Sequence, residues 1–307
     1  MANVKNDRKI KNLVKSVVTL VLLLIMSRIG IIPQAEGTLE LTMIDVGQGD
    51  SFLLSCEDEI ALIDCGTNSA GEEIVDYLQK QGIRKIDYIF GTHPHDDHMG
   101  GMLDVITKFE IGKIIIPQIK EQHAQTNWYR KLIKVIKEEG YELEYVELGT
   151  VYSLGNAEIK VIGPITDPGN EKNNYSTVLK VSLGENEVIF TGDAEIKVEK
   201  DILEYGEDIE AEILKVGHHG SDTSTSEEWL EAINPKYALI SCEIGNQHEH
   251  PIKEVMQRLK ERGIEIYRTD ESGTVIATIT ATNITFNSNP DSYLSGVEIA
   301  ELEGVDK

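Results

Sequence analysis

From residue 38 onward the apolar residues of this 307-residue chain fall into short runs with two distinct spacings. Alternating or continuous apolar stretches predict strands over 39–45, 51–55, 60–64, 87–90 and 113–116, and again over 158–162, 177–183, 188–191, 212–216, 237–241, 265–267 and 275–280. Helical spacing predicts helices over 72–81, 127–139, 194–204, 227–233 and 252–263; in the second, Trp128, Leu132 and Ile136 recur at steps of four. Strands with helices interspersed predict an α/β fold of mixed sheets covered by helices. No short repeat or low-complexity linker divides this stretch. The end, 287–307, is acidic and weakly patterned, which predicts a frayed tail.

The amino terminus breaks the pattern. Lys5, Arg8, Lys9, Lys11 and Lys15 precede an apolar run over 17–26, and after Ser27 and Arg28 the apolar character resumes to Ile32. This is the form of an export signal. A spanning helix needs about 20 apolar residues, and Arg28 interrupts a shorter stretch, which favours a cleaved signal over a stable anchor. Ala35 suits cleavage but Pro33 does not, so both outcomes stay open. Either way the positive-inside rule puts everything after about residue 36 outside the cytoplasm.

Composition changes this picture little, and charge changes it more. Hydrophobic residues make up 40% and charged residues 27%, an ordinary globular mix. Against 29 Lys and Arg stand 53 Asp and Glu, a net −24; residues 1–35 hold six cations and one anion, so the remainder carries −29. A general cationic polyanion binder is excluded. Three cysteines, Cys56, Cys65 and Cys242, are too few for a disulfide scaffold, and Cys56 and Cys65 fall at opposite ends of an expected hairpin.

The chemistry gathers where strands end. After the apolar strand at 86–90 come Gly91-Thr92-His93-Pro94-His95-Asp96-Asp97-His98-Met99-Gly100-Gly101. In an extended loop His93 and His95 project to one side, while Asp97 and His98 turn toward a second point. Such a density of imidazole and carboxylate donors suits zinc or a similar divalent ion. The Gly-Gly pair brings backbone close and starts a helix. Two more strands end likewise, 188–191 in Gly192-Asp193 and 212–216 in Gly217-His218-His219-Gly220-Ser221. Taken alone, Asp193 is equally the amino cap of the next helix.

In order, Leu62-Ile63-Asp64-Cys65-Gly66, the histidine-rich run at 93–98, Thr191-Gly192-Asp193 and His218-His219-Gly220-Ser221 resemble the metallo-β-lactamase fold superfamily. Within it the chain is most similar to the hydrolase domain of competence protein ComEC and its free-standing relatives. The closer match lies in Asp45-Val46-Gly47-Gln48-Gly49-Asp50, Asn173-Asn174-Tyr175-Ser176, the run from Lys215, His250-Pro251 and Tyr267-Arg268-Thr269-Asp270. The resemblance implies a four-layer αβ/βα sandwich of two mixed sheets flanked by helices, with a two-metal site along one edge. The expected organisation is a signal peptide or membrane anchor over 1–35, a hydrolase domain over 36–286 and an acidic tail over 287–307.

The resemblance further implies that His93 and His95 bind a first metal and Asp97 and His98 a second, with Asp193 bridging. One of His218 and His219 completes the second site; His218 is preferred because it follows the strand directly. Asp64 would hold a ligand histidine in one tautomer. Most dinuclear members supply a third histidine to the first metal, and the region around Asn174 has none, which implies a weakly held ion. His123, in a polar loop, is expected at the surface. His250 is expected to reach the site as ligand or proton donor, and His248 has no support from the family.

Two such ions, zinc first and manganese second, would hold and deprotonate a water between them and stabilise both oxygens of an in-line displacement. That geometry suits phosphodiesters. Asn174 and Ser176 would donate to the non-bridging oxygens, and His250 or the spare histidine, His219, would protonate the leaving group; Asp97 belongs to both the binding and the reacting set. The substrate expected is a phosphoester or a short single-stranded nucleic acid, met by Lys172, Lys180, Lys215 and Arg268. A membrane partner follows if the amino terminus is uncleaved, and no protein partner is inferred. The rival readings are a ComEC-like nuclease or accessory domain in DNA uptake, and a thioester or lactam hydrolase.

Overall fold

The computed structural model describes residues 37–305, so the expected export signal lies outside the described residues. The first half supplies β1 (Thr38–Met43), β2 (Phe52–Cys56), β3 (Glu59–Ile63), β4 (Lys85–Phe90), β5 (Glu110–Ile116), β6 (Glu142–Tyr145), β7 (Val151–Leu154) and β8 (Ala157–Gly163). The second supplies β9 (Val178–Leu183), β10 (Asn186–Phe190), β11 (Ile213–Lys215), β12 (Tyr237–Ile240), β13 (Glu265–Arg268), β14 (Val275–Thr280) and β15 (Ile284–Phe286). They form one eight-stranded sheet in the order β15-β14-β1-β2-β3-β4-β5-β6 and one seven-stranded sheet in the order β13-β12-β11-β10-β9-β8-β7.

Each sheet is antiparallel on one side and parallel on the other, and the parallel sides matter for the site. β3, β4, β5 and β6 run parallel, as do β10, β11, β12 and β13. Central parallel strands are covered on both faces, which is why 86–90, 114–116 and 237–240 read as nearly continuous apolar runs. The loops that leave the carboxyl ends of β3, β4, β10 and β11 carry the motifs.

Helices cover the outer faces. On the first sheet α1 (Gly71–Lys80), α2 (Asp96–Met99), α3 (Met102–Ile106) and α4 (Asn127–Glu139) bring Ile74, Leu78, Met102, Val105, Leu132 and Ile136 against Ile86, Ile89, Ile114 and Ile116. On the second, α5 (Ile196–Tyr205), α6 (Glu227–Ile233) and α7 (Lys253–Glu261) pack Val198, Ile202, Trp229, Ile233, Val255 and Leu259 on Ile189, Leu214, Ala238 and Ile266. Between the sheets Phe52 meets Phe190 edge-on at 5.2 Å and Phe90 meets Tyr152 at 5.3 Å. The result is the expected four-layer sandwich of two mixed sheets. Each large apolar side chain so buried contributes roughly 1.5–3 kcal/mol.

β6, β7 and β15 escape the reading of the sequence because they are three or four residues long and partly exposed, which leaves little hydrophobic signal. The expectation of a frayed tail from 287 is corrected. Asp291 accepts hydrogen bonds from the Arg268 amide (2.7 Å) and Ser272 Oγ (2.6 Å), and Tyr293 donates to the Ile264 carbonyl (2.8 Å). A short helix, α8 (Thr269–Ser272), follows β13, and the last helix of the described residues is α9 (Gly296–Glu303), opened by a reciprocal capping box between Ser295 and Glu298. All three cysteines are free and buried. Among the described residues no helix is long and apolar enough to cross a membrane.

Candidate metal centre

β3 and β4 end side by side, and Asp64 follows β3 with φ 60°, the left-handed region that a non-glycine residue enters only when its surroundings require it. Its Oδ1 accepts from the Thr92 amide (2.8 Å) and its Oδ2 from Thr92 Oγ1 (2.6 Å) and His98 Nδ1 (2.8 Å). The last contact fixes the His98 ring with Nε2 facing the opposite way, 3.2 Å from Asp193 Oδ1. Close backbone approach makes the loop possible. A Cβ on Gly101 would lie 2.3 Å from the Cys65 carbonyl oxygen, and one on Gly49 would lie 2.5 Å from that of Asp97.

Asp193, after β10, stands between two groups. Its amide donates to Ser176 Oγ (2.9 Å). Its Oδ2 faces His93 Nε2 (3.7 Å), which in turn is 2.9 Å from His95 Nδ1. Its Oδ1 faces His98 and His219 Nε2 (3.7 Å), and His219 Nε2 is 3.5 Å from Asp97 Oδ2. Donor atoms of His93, His95 and Asp193 thus lie within 4.8 Å of one another, as do those of Asp97, His98, Asp193 and His219. Asp193 belongs to both. Buried His98 Nε2, Asp193 Oδ1 and His219 Nε2 have no hydrogen-bond partner among the described residues. Polar atoms so buried are costly unless something completes them, and imidazole nitrogens with carboxylate oxygens are the donor set of a divalent cation.

The family model for the metallo-beta-lactamase superfamily matches residues 44–243. The chain belongs to this superfamily. ComE operon protein 3 of Bacillus subtilis (strain 168) is 32% identical over 256 residues, 77% of this chain and 32% of that protein. Competence protein ComA of Neisseria gonorrhoeae is 32% identical over 249 residues, 79% of this chain and 32% of that protein. The chain therefore spans about a third of the length of these relatives. In fold it is similar to CmlA, a diiron beta-hydroxylase from Streptomyces venezuelae, with a TM-score of 0.55 and 14% identity over 81% of this chain and 55% of that one.

Within this metallo-β-lactamase site the two neighbouring histidines differ. Both adopt left-handed backbone, φ 51° at His218 and 55° at His219, which turns successive rings in different directions. His219 is buried and its Nδ1 donates to the Ser241 carbonyl (2.8 Å), leaving Nε2 for the cluster. His218 turns its Nδ1 to Thr223 Oγ1 (3.0 Å) and stays a quarter exposed with Nε2 3.6 Å from Asp193 Oδ2. The expectation that His218 completes the second cluster is corrected in favour of His219.

Other expected roles also change. Asn174 is buried with its amide closed on Glu195, donating to Oε2 (3.0 Å) and accepting from the backbone amide (3.2 Å). Ser176 is fully buried and accepts from the Asp193 amide, with Oγ 3.3 Å from His93 Nδ1. Both brace the ligand loops and neither is presented to a substrate. His250, before a cis Pro251, packs its ring 5.4 Å from that of His218, and burial, aided by His219 and His218, pushes its pKa down to about 3. It belongs to neither group of ligand donor atoms. His123 is buried against Tyr175 at 5.6 Å, where a surface position was expected.

The cations expected to meet a phosphate are mostly used inside the fold. Lys215 is buried, 2.5 Å from Asp50 Oδ2 and donating to the Gly192 carbonyl (2.9 Å). Lys180 pairs with Glu187 (2.6 Å), and Arg268 is buried in a two-pronged pair with Asp270 at 2.6 Å. Lys172 remains, half-buried. Asp50 and Lys215 are legible in the sequence only as parts of motifs; a lysine ending an apolar strand is the signal of a buried partner.

Burial lowers His93 well below the ordinary imidazole value. Burial would do the same to His98 and His219, yet the carboxylates around them, Asp193 foremost, raise both, His98 well above that value. Burial would raise Asp193, but His98 and His219 outweigh it and hold this carboxylate well below the usual range. Without a metal, protons on His98 and His219 balance the charge that a cation would balance.

Proposed function

We propose that the chain is an exported, divalent-metal-dependent hydrolase of phosphodiesters, acting on small molecules or short single strands outside the cytoplasm. The observation that carries this reading is one carboxylate, Asp193, shared by two groups of ligand atoms. His93 and His95 would hold one ion, and Asp97, His98 and His219 the other, with zinc the first choice for an imidazole-rich set and manganese the second. Two such ions supply activation of a water and stabilisation of the charged oxygens of an in-line displacement.

The residues around them do the rest. Asp64 and Ser241 hold His98 and His219 with Nε2 turned inward. Ser176 and Asn174 fix the loop that carries Asp193. His218, a quarter exposed with Nε2 3.6 Å from Asp193 Oδ2, would give a proton to the leaving alkoxide. The expected signal at 1–35 supports export, with residual attachment to the membrane if it is not cleaved.

Similarity to ComE operon protein 3 and Competence protein ComA favours a second reading, a nuclease or an accessory domain in DNA uptake. Reconstitution with zinc or manganese, followed by assays on bis-p-nitrophenyl phosphate, an oligonucleotide, nitrocefin and an acyl thioester, tests the proposal. Diester turnover that is lost in Asp193→Asn is expected. Turnover of lactam or thioester alone would replace this reading by the same-fold rival, and bound metal with no turnover on any substrate would leave the accessory domain.

A further inference from the structure

In a chain of 53 acidic residues, positions 122–137 contain no Asp or Glu. The same stretch contains Arg130, Lys131, Lys134 and Lys137, all exposed on α4. Tyr129, Leu132 and Ile136 bury the inner face of this helix, so the four cations occupy its solvent side. Lys134 faces Glu138 at 3.7 Å with both side chains exposed, a pair worth little. Arg130, Lys131 and Lys137 make no ion pair among the described residues. Helix α7 by contrast mixes Lys253, Arg258 and Lys260 with Glu254 and Glu261.

The position of α4 relates it to the metal centre. β5 runs parallel to β4, with Ile115 opposite Phe90, so the chain leaves β5 at the same sheet edge from which β4 delivers His93. The connection to α4 carries His123, packed on Tyr175, whose neighbours Asn174 and Ser176 brace the Asp193 loop. α4 then runs away from that edge, and its cations are spread over about 10 Å at 1.5 Å per residue. Ala124, Tyr129 and Ile133 share a surface depression with Arg130, Lys134 and Lys137, which sets apolar contact beside positive charge. Of the cations beside the metal centre, Lys180, Lys215 and Arg268 are committed to internal carboxylates, so a polymeric substrate has to be gripped farther out.

We infer that the solvent face of α4 is the docking surface for the flanking phosphates of a single-stranded nucleic acid. The inference rests on the phosphodiesterase reading for the choice of polyanion. Charge complementarity supports it, as does the apolar floor on which bases can rest. Four cations suit a single strand of a few phosphates better than a duplex, whose charge density is greater.

The test compares the full chain with a variant carrying Arg130→Gln, Lys131→Gln, Lys134→Gln and Lys137→Gln, all exposed positions outside the metal cluster. Binding of a fluorescein-labelled oligothymidylate is followed by anisotropy in the presence of chelator, at several salt concentrations. The variant is expected to bind at least tenfold more weakly at low salt, with the slope of log K against log salt flattened by up to about 2.8, at about 0.7 for each phosphate no longer neutralised. Its metal content and its turnover of bis-p-nitrophenyl phosphate are expected to be unchanged. Equal binding by both proteins, or no binding by either, overturns the inference. Loss of binding to phosphatidylglycerol vesicles with unaltered oligonucleotide binding also overturns it, and makes α4 a membrane-facing surface. Oligonucleotide binding through α4 without turnover of any diester upholds the docking surface and sinks the hydrolase reading instead.

Discussion

Lys215 Nζ lies 2.5 Å from Asp50 Oδ2, and both side chains are buried behind the metal cluster. Asp50 Oδ1 is 3.5 Å from His219 Nδ1 and its Oδ2 is 3.6 Å from His98 Nδ1, so this carboxylate backs both imidazoles of the second group. Burial opposes a charged lysine, yet Asp50 and Asp193 outweigh it and raise its pKa above the ordinary lysine value. Lys215→Met leaves Asp50 without its partner and is expected to destabilise the fold by about 3–5 kcal/mol. Lys215→Met combined with Asp50→Asn is expected to recover much of that loss. Urea unfolding of the single and double variants measures the difference. Equal, negligible losses would mean that the pair does not brace the site.

The division of labour between adjacent histidines gives a second expectation. His219→Ala removes an inward-facing Nε2 and is expected to lower bound metal from two ions per chain to one, by elemental analysis after dialysis. His218→Ala is expected to keep both ions and lose turnover by about 10²–10⁴-fold, the usual range for a lost proton donor. The reverse pattern would restore His218 as the ligand.

Much of this site is legible in the sequence, and the limits have physical causes. The run from His93 to His98, Asp64 and Asp193 announces itself because dense imidazole and carboxylate groups at the ends of apolar strands are costly unless something binds them. The choice between His218 and His219 is not legible there, since it depends on two left-handed residues in a row and on the carbonyl of Ser241, just past β12. Asn174 and Ser176 fall in the expected neighbourhood with a different role, because residue type shows what a side chain can bond and not which partner has already taken it. Trp128, Leu132 and Ile136 mark α4 as a helix, but the positive charge of its outer face is hidden in a whole-chain total of −24. The docked segment at 291–303 is held by single hydrogen bonds to distant residues such as Arg268, which leave no periodic trace.

Stability against pH follows from opposite shifts. His98 and His219 have raised pKa values in the fold, so the stability they contribute is full below the unfolded value of about 6.5 and is lost as pH rises through the folded values. His93, His95, His218 and His250 are lowered, so the unfolded chain binds protons that the fold does not, and stability falls as pH drops below about 6.5. The metal-free protein is therefore expected to be most stable near pH 6.5. Bound metal needs neutral His98 and His219, so adding zinc is expected to remove the alkaline decline and to release protons. Thermal unfolding across pH 5–9 with chelator and with zinc checks this; an alkaline decline that zinc leaves unchanged would separate those histidines from the metal.

Substrate length sets the last expectation. Cleavage at the metal centre concerns one phosphate, so any preference for polymer length comes from the surrounding surface. Duplex DNA carries one charge per roughly 1.7 Å of axis, and a protein holding it must neutralise many phosphates at once. Residues 36–307 carry −29, and of the cations beside the motifs Lys180, Lys215 and Arg268 are committed to internal carboxylates. What remains is Lys172 near the centre and the four cations of α4, enough for a short flexible strand and too few for a rigid duplex facing the repulsion of the other surfaces. Initial rates are expected to be higher on bis-p-nitrophenyl phosphate and on a short oligonucleotide than on plasmid duplex. The oligonucleotide rate is expected to fall with salt below saturation, the small diester rate to stay level, and duplex binding to vanish near 150 mM salt. Duplex cleavage that is faster than oligonucleotide cleavage and indifferent to salt would mean that a local basic surface outweighs the net charge, and would turn the assignment toward a nuclease of long DNA.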